Sequence, residues 1–498
     1  MLNRLNPLFA LVLIFSILYA LLRKVYLSLS RQKFSSKHGC KPALRLPQRE
    51  RLIGFDLLKE QMLAAKNHKL LETMRNRSAK YGNTYTATMM GQSYIVTNEP
   101  ENLKAVLAMN FQDFGLRGRK ESFGPLLGNG IFTSDGKSWE HSRALIRPSF
   151  VKAQVSNFDI FENHIQSLIS LLPRDFSTVD LQPLFFRLTL DSATEYLFGE
   201  SVDSLHVHDG SQETFASAFD YASSEIPKRY RMGPFVALYR NKRFFESCKL
   251  LHDFVDGFVE KALTETTKRG EQTEDKGRYV FLYELAKATR DPIQLRAEVM
   301  SILLAGRDST ASLLSLVFFT LARNPMVFAK LRREVDELGG KKPDYEMLRQ
   351  MRYLKDILNE VLRLYPVVPN NSRYALRDTM LPCGGGPDGK SPVFVARGQI
   401  VTYCVYDLHR RRDLYGADAD QFRPERWESL RPGWAYLPFN GGPRVCIGQQ
   451  FALMEVSYMV VRILQTFRGL ESRDTEEWKE NLSATLSSLN GVKVAFSV

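Results

Sequence analysis

Five cysteines are scattered through the 498 residues, and one of them, Cys446, sits where a sulfur could do chemistry. It lies in Phe439-Asn-Gly-Gly-Pro-Arg-Val-Cys-Ile-Gly448, a glycine-rich loop directly ahead of an apolar stretch that reads as a helix. Glycines let backbone N–H groups approach the sulfur, and the electropositive start of a helix favours thiolate. Arg444, two residues earlier, can neutralise a nearby anion. A lone thiolate with such donors suits an axial iron ligand, because hydrogen bonds to the sulfur tune the metal. The plainer alternative is a buried core cysteine, the commonest fate of a free thiol. Cys40, Cys248, Cys383 and Cys404 form no C-x-x-C pair, so neither a disulfide framework nor a zinc site is expected.

A second constellation is Ala305-Gly306-Arg307-Asp308-Ser309-Thr310. Gly306 lets a small molecule approach the backbone, and an acid followed by alcohols can relay protons. The alternative is that these polar groups only bend a buried helix by bonding back to its carbonyls. Glu360-Val-Leu-Arg363 has the i,i+3 spacing of an ordinary helical ion pair. Trp139 and Arg143 are one helical turn apart, so indole and guanidinium share a face and both can donate to an anion.

These residues need elements to hold them. The Ala305–Thr310 group lies inside a segment that Asp291-Pro292 opens as N-cap and first helical residue and Asn324-Pro325 closes. At 1.5 Å per residue such a helix is about 48 Å long, and its apolar second half must cross a core. A second helix runs from about Tyr353 to Tyr365, and a third, Gln449 to Phe467, follows the cysteine loop. Thr84–Met90 and Ser93–Thr97, split at Gly91, read as a hairpin. Pro382–Gly398 is a turn region between short strands, Ile400–Tyr406 reads as a strand, and Ser483–Phe496 as a hairpin turning at Asn490-Gly491. The class is mostly α with a smaller β-rich part.

Composition agrees with a large globular core: 44% hydrophobic, 25% charged, and a mean hydropathy of −0.24 that excludes a polytopic membrane protein. The net charge of +13 is uneven. Nine basic residues and one acid lie between Arg23 and Arg51, directly after the greasy run Pro7–Leu22. That order predicts a juxtamembrane segment facing anionic lipid, not a nucleic-acid surface. A retained anchor fits better than a cleaved signal peptide, since only Arg4 precedes the run and no small-x-small cleavage site follows it. The expected organisation is an anchor over 1–30, a basic, proline-containing linker over 31–52, and the main folded domain over 53–498. The positive-inside rule puts that domain in the cytoplasm, on a single-pass anchor. The sequons at Asn76, Asn370 and Asn481 then go unused.

The cysteine loop resembles the haem-binding signature of the cytochrome P450 family, F-x-x-G-x-R-x-C-x-G, at Phe439, Gly442, Arg444, Cys446 and Gly448. The companions follow in the family's order: Trp139 and Arg143, Ala305 to Thr310, Glu360 and Arg363, and Phe422-Arg-Pro-Glu-Arg426-Trp427. The resemblance implies the family's fold, haem b with Cys446 as its axial thiolate, and Trp139, Arg143, Arg373, Phe439 and Arg444 around the haem. It implies that Arg426 joins Glu360 and Arg363 to hold the haem loop, and that Asp308, Ser309 and Thr310 pass protons to dioxygen. Ser309 stands where threonine is usual. Leu304, Ala305, Val368 and Leu489 are expected to line the substrate pocket.

The closest resemblance is to membrane-anchored fungal enzymes related to the alkane and fatty-acid hydroxylases of yeasts, carried by His38 to Pro42 and by Gly384 to Lys390. It implies a monooxygenase that puts one oxygen atom of O2 into a C–H bond of a fatty acid, alkane or other alkyl-chain compound. Relatives also tailor fungal secondary metabolites; less favoured readings are a haem-thiolate isomerase or peroxygenase and a non-catalytic haem protein. No flavin or nicotinamide fingerprint is present, so electrons are expected from NADPH through a flavoprotein reductase at the endoplasmic reticulum, with cytochrome b5 as a second donor. Lys137, Arg410, Arg411 and Arg412 are candidates to attract its acidic face.

Overall fold

The computed structural model describes residues 7–116, 118–151, 158–206, 214–269 and 279–498; residues 1–6 of the expected anchor lie outside them. The fold is largely helical with a smaller β part, as the composition and periodicity predict. Its organiser is the helix Pro292–Arg323. Asp291 caps it, accepting from the N–H groups of Ile293 and Gln294 at 2.9 and 3.3 Å, and Pro292 takes the first position, where no N–H is needed. From Ala297 to Ala322 the helix is buried on every face except at Ala305, Gly306 and Ser309. Leu181–Phe198, Arg352–Leu364 and Gln449–Thr466 pack round it, with Phe185, Phe318 and Phe496 among the large side chains they enclose.

Among the described residues two helices are long and apolar enough to cross a bilayer, and burial separates them. The apolar window of Pro292–Arg323 is 83% buried and belongs to the core, whereas Leu11–Lys37 has none of its window buried. The latter is the candidate membrane span. It continues as helix to Lys37, past the expected boundary at residue 30. Nor is 31–52 a free linker. Phe34 packs on Phe394 with ring centres 5.6 Å apart, and Leu44–Arg45 pairs with Tyr85 and Thr86 in the main sheet. Burial of Ala43 and Leu46, and a hydrogen bond from the Lys41 N–H to the Pro392 carbonyl at 2.8 Å, make these residues part of the domain.

The main sheet has six strands in the order Leu44–Arg45, Thr84–Met89, Gln92–Thr97, Ile400–Cys404, Asn370–Ala375 and Phe114–Gly115. Its hairpin turns at Met90 and Gly91, both with positive φ, which matches the right-handed twist of the strands. Strand Ile400–Cys404 ends two residues early, because Val405–Leu408 forms a helical turn. The C-terminal tail is not one hairpin about Asn490-Gly491. Glu480–Leu482 pairs with Leu486–Ser488, while Lys493–Ser497 pairs with Gly469–Ser472 and with Val179–Asp180. The bend at Asn490-Gly491 is real, with Gly491 at φ +78°, but Asp180 captures the Val492 N–H at 2.8 Å and leads the strand to another partner.

Candidate active site

The cysteine loop is closed by a hydrogen bond from the Cys446 N–H to the Phe439 carbonyl at 3.0 Å. Gly442 has φ +69°, and a Cβ there would lie 1.8 Å from the Leu107 carbonyl oxygen, so the motif glycine is a packing necessity. Cys446 is the one exposed cysteine of the five. Protein nonetheless surrounds it closely enough for desolvation to raise its pKa. The Gly448 N–H and Arg143 offset only part of that shift. The loop on its own therefore does not stabilise the thiolate expected from the helix terminus; a bound cation would have to do so.

Across the helix Gly136–Ile146, Trp139 is buried and Arg143 lies over its ring at 5.8 Å. Arg143 Nη1 donates to the Val445 carbonyl at 3.0 Å, tying this helix to the cysteine loop. Arg444 stacks on the same indole at 4.4 Å and pairs with Asp135 at 2.6 Å. Arg373, on strand Asn370–Ala375, is buried and donates to the Ser372 carbonyl at 2.8 Å. Sequence reasoning missed Arg119, which reaches Asn371 Oδ1 at 2.6 Å; no motif marks it.

Burial lowers the Arg444 pKa to about 10, and Arg373, Arg119 and Arg143 push it the same way against the single carboxylate of Asp135. Four guanidiniums near enough to act on one another, with the Asp135 carboxylate paired to Arg444, call for an anion. That charge, the accessible thiol and the side-chain-free surface at Gly306 fit a haem, whose iron would take the sulfur and whose two carboxylates would take the arginines.

A model of the cytochrome P450 family matches residues 55–493. The chain belongs to the cytochrome P450 family. It is 47% identical to the cytochrome P450 monooxygenase himC of Aspergillus japonicus over 92% of this chain and 83% of that protein. With the cytochrome P450 52A12 of Debaryomyces hansenii it shares 47% identity over 85% of this chain and 86% of the relative. With the monooxygenase fsdH of Fusarium heterosporum the figures are 44%, 95% and 86%. As a cytochrome P450 it is a haem-thiolate protein that draws electrons from a redox partner and takes a lipophilic substrate.

The structure brings Glu360, Arg363 and Arg426 together in a fully buried cluster. Arg363 grips Glu360 with two bonds of 2.8 Å, Arg426 Nε adds a third at 2.8 Å, and Trp427 Nε1 a fourth at 3.0 Å. His409, also unmarked in the sequence, connects this cluster to the cysteine loop. Its Nε2 accepts from the Leu437 N–H at 2.8 Å, its carbonyl accepts from Arg363, and burial drives its pKa down to about 3, so the ring stays neutral.

Between Ala297 and Ala322 of the long helix only Ala305, Gly306 and Ser309 are half-buried instead of buried, and a Cβ on Gly306 would touch nothing within 4 Å. Ser309 Oγ donates to the Ala305 carbonyl at 2.5 Å. Thr310 does not share that face. Its hydroxyl donates to Glu455 Oε2 at 3.4 Å, because one residue turns a helix by about 100°. Asp308 is buried and held by Arg307 at 2.8 Å. Leu304 is buried and Ala305 half-buried, while Val368 and Leu489 keep 42% and 40% of their surface exposed. Of the basic residues expected to meet a partner, Arg410 is buried against Tyr406 and Arg411 is tied to Glu99 and Asp413; Lys137 and Arg412 are exposed.

Glu455, on Gln449–Thr466, is a second buried acid that the sequence did not mark. Its neighbours are hydroxyls, Ser192 at 3.1 Å and Thr310, and burial raises its pKa to about 8. Between pH 4.5 and 8 the folded chain keeps a proton that the unfolded chain releases, so stability falls as pH rises through that window. Glu455→Gln should therefore raise the unfolding temperature at pH 8 more than at pH 6. Equal changes at the two pH values would mean that Glu455 does not carry its proton into the neutral range.

Proposed function

We propose that this chain is a membrane-anchored haem-thiolate monooxygenase that hydroxylates a long alkyl chain: R–H + O2 + NADPH + H+ gives R–OH + H2O + NADP+. The observation that carries the reading is the half-buried group Ala305, Gly306 and Ser309 within the otherwise buried stretch Ala297–Ala322 of the long helix, in a chain whose one exposed cysteine lies in the haem signature. The bound haem supplies the iron at which dioxygen is activated. Cys446 would hold it through the iron, and Trp139, Arg143, Arg119, Arg373 and Arg444 would hold its carboxylates. The cluster of Glu360, Arg363 and Arg426 fixes the loop. Ala305 and Gly306 leave room beside the backbone, and Val368 and Leu489 present apolar surface to the substrate.

Electrons come from NADPH through a flavoprotein reductase, with cytochrome b5 as a second donor. The catalytic domain lies on the cytoplasmic face of the endoplasmic reticulum, supported by the basic residues on the C-terminal side of the apolar run. A long alkyl substrate is supported by the resemblance to yeast alkane and fatty-acid hydroxylases. A panel of fatty acids, alkanes and fungal polyketides, incubated with reductase and NADPH and read by mass spectrometry, tests the reading. Turnover without NADPH or reductase would point to an isomerase or peroxygenase instead.

Ser309, on the half-buried face of the helix, would be the alcohol that passes on a proton once its hydroxyl leaves the Ala305 carbonyl. Ser309→Ala should lower product per NADPH and release peroxide, within the about 10²–10⁴-fold that general acid–base groups contribute. Thr310→Ala should leave that ratio close to wild type, since its hydroxyl serves Glu455. Identical ratios in both variants and the wild type would reduce Ser309 to a packing group.

A further inference from the structure

Arg307 and Asp308 are consecutive in the long helix, and side chains one residue apart do not face each other. Arg307 Nη1 nevertheless donates to Asp308 Oδ1 at 2.8 Å. The guanidinium reaches round the helix because groups outside it hold it there. Phe186 accepts from its Nε through the main-chain carbonyl at 3.2 Å, and the rings of Phe186 and Phe219 lie 4.7 and 5.6 Å from its centre. The remaining nitrogen, Nη2, pairs with Asp220 Oδ1 at 2.5 Å. Asp220 belongs to the helix Phe215–Arg231. Arg307 and Asp308 are each 3% exposed, whereas the Asp220 side chain is 56% exposed. One guanidinium thus bridges an acid at the protein surface and the buried acid next to Ser309.

We propose that Asp220 is a positioning residue for the oxidation: by sharing Arg307 it steadies Asp308 without leaving Asp308 an exclusive counter-ion. The inference rests on the monooxygenase reading above. A buried carboxylate with a whole cation to itself stays ionised and fixed, because little solvent screens the pair. Such a group neither takes up nor hands on a proton readily. With Asp220 drawing on the same cation, Asp308 is held in place but less tightly bound as an anion. Burial and the Asp220 charge both raise the Asp308 pKa, against the opposing effect of Arg307. Because Asp220 rides on a different helix from Asp308, a shift of Phe215–Arg231 also changes how the cation is divided.

The test uses the full-length, haem-loaded protein with reductase, NADPH and the panel member that the wild type oxidises fastest. Asp220→Asn removes the charge and keeps the shape. It should lower product per NADPH by about threefold or more, with the substrate dissociation constant, read from the haem spectrum, unchanged. Asp220→Glu should recover most of the loss. In a Ser309→Ala background Asp220→Asn should add nothing, since both act on one proton path. A readout independent of turnover is hydrogen exchange, which Asp220→Asn, and not Asp220→Glu, should speed along Phe215–Arg231. Unchanged coupling or exchange in Asp220→Asn, or losses that multiply with those of Ser309→Ala, would overturn the proposal alone. A wild type that oxidises no member of the panel sinks the monooxygenase reading and this one with it.

Discussion

Cys446→His should abolish the red-shifted absorption that carbon monoxide gives the reduced protein, while some haem is still bound. That band requires a thiolate opposite the gas, and a neutral imidazole can hold the iron without supplying the charge. None of the other four sulfurs lies in the signature loop or is exposed. Cys404 is fully enclosed, Cys248 is buried with its pKa pushed up to about 12, and Cys383 sits on Asn102 with its pKa pushed up to about 11. Burial raises Cys40 and Cys404 as well. Serine at any of these four positions should leave the band in place. Its survival in Cys446→His would show that another group is the axial ligand.

The parts of the site that could be read from the sequence are those whose chemistry depends on local spacing. Asp291-Pro292 and Asn324-Pro325 bound the long helix because caps and prolines act within one turn. The cysteine loop declares itself because Gly442 must pass a backbone carbonyl. What escaped depends on partners distant in the chain. Arg119 meets Asn371, His409 meets Leu437, and Glu455 meets Ser192 and Thr310. None of these side chains differs in sequence from an ordinary surface or helix residue. The tail went astray for the same reason: Asn490-Gly491 specifies a bend, but Asp180 and Gly469–Ser472 decide where the next strand goes. Thr310 and Ser309 could be separated only by helical phase, and it was the burial pattern that showed which of them is left half-buried.

Glu360→Gln should cost about 3–5 kcal/mol of stability, the range for breaking a buried ion pair by removing one partner. Glu360 is wholly buried and accepts five hydrogen bonds, from Arg363 Nε and Nη2, Arg426 Nε, Trp427 Nε1 and the Arg423 N–H. Glutamine keeps the shape but turns one acceptor into an NH2 group that faces guanidinium donors. Arg363, itself wholly buried, then has only the carbonyls of His409, Ala419 and Gln421, which carry no compensating charge. Arg426 keeps Asp418 at 3.2 Å, so it is the less exposed to the loss. Arg426→Lys should accordingly cost less than Glu360→Gln, though lysine cannot reproduce the forked donation. Because His409 joins Arg363 to Leu437, haem retention should fall along with the denaturation midpoint. Haem content after purification, measured beside urea unfolding, separates the possibilities. A Glu360→Gln protein with the wild-type midpoint and full haem would show that the cluster does not support the cysteine loop.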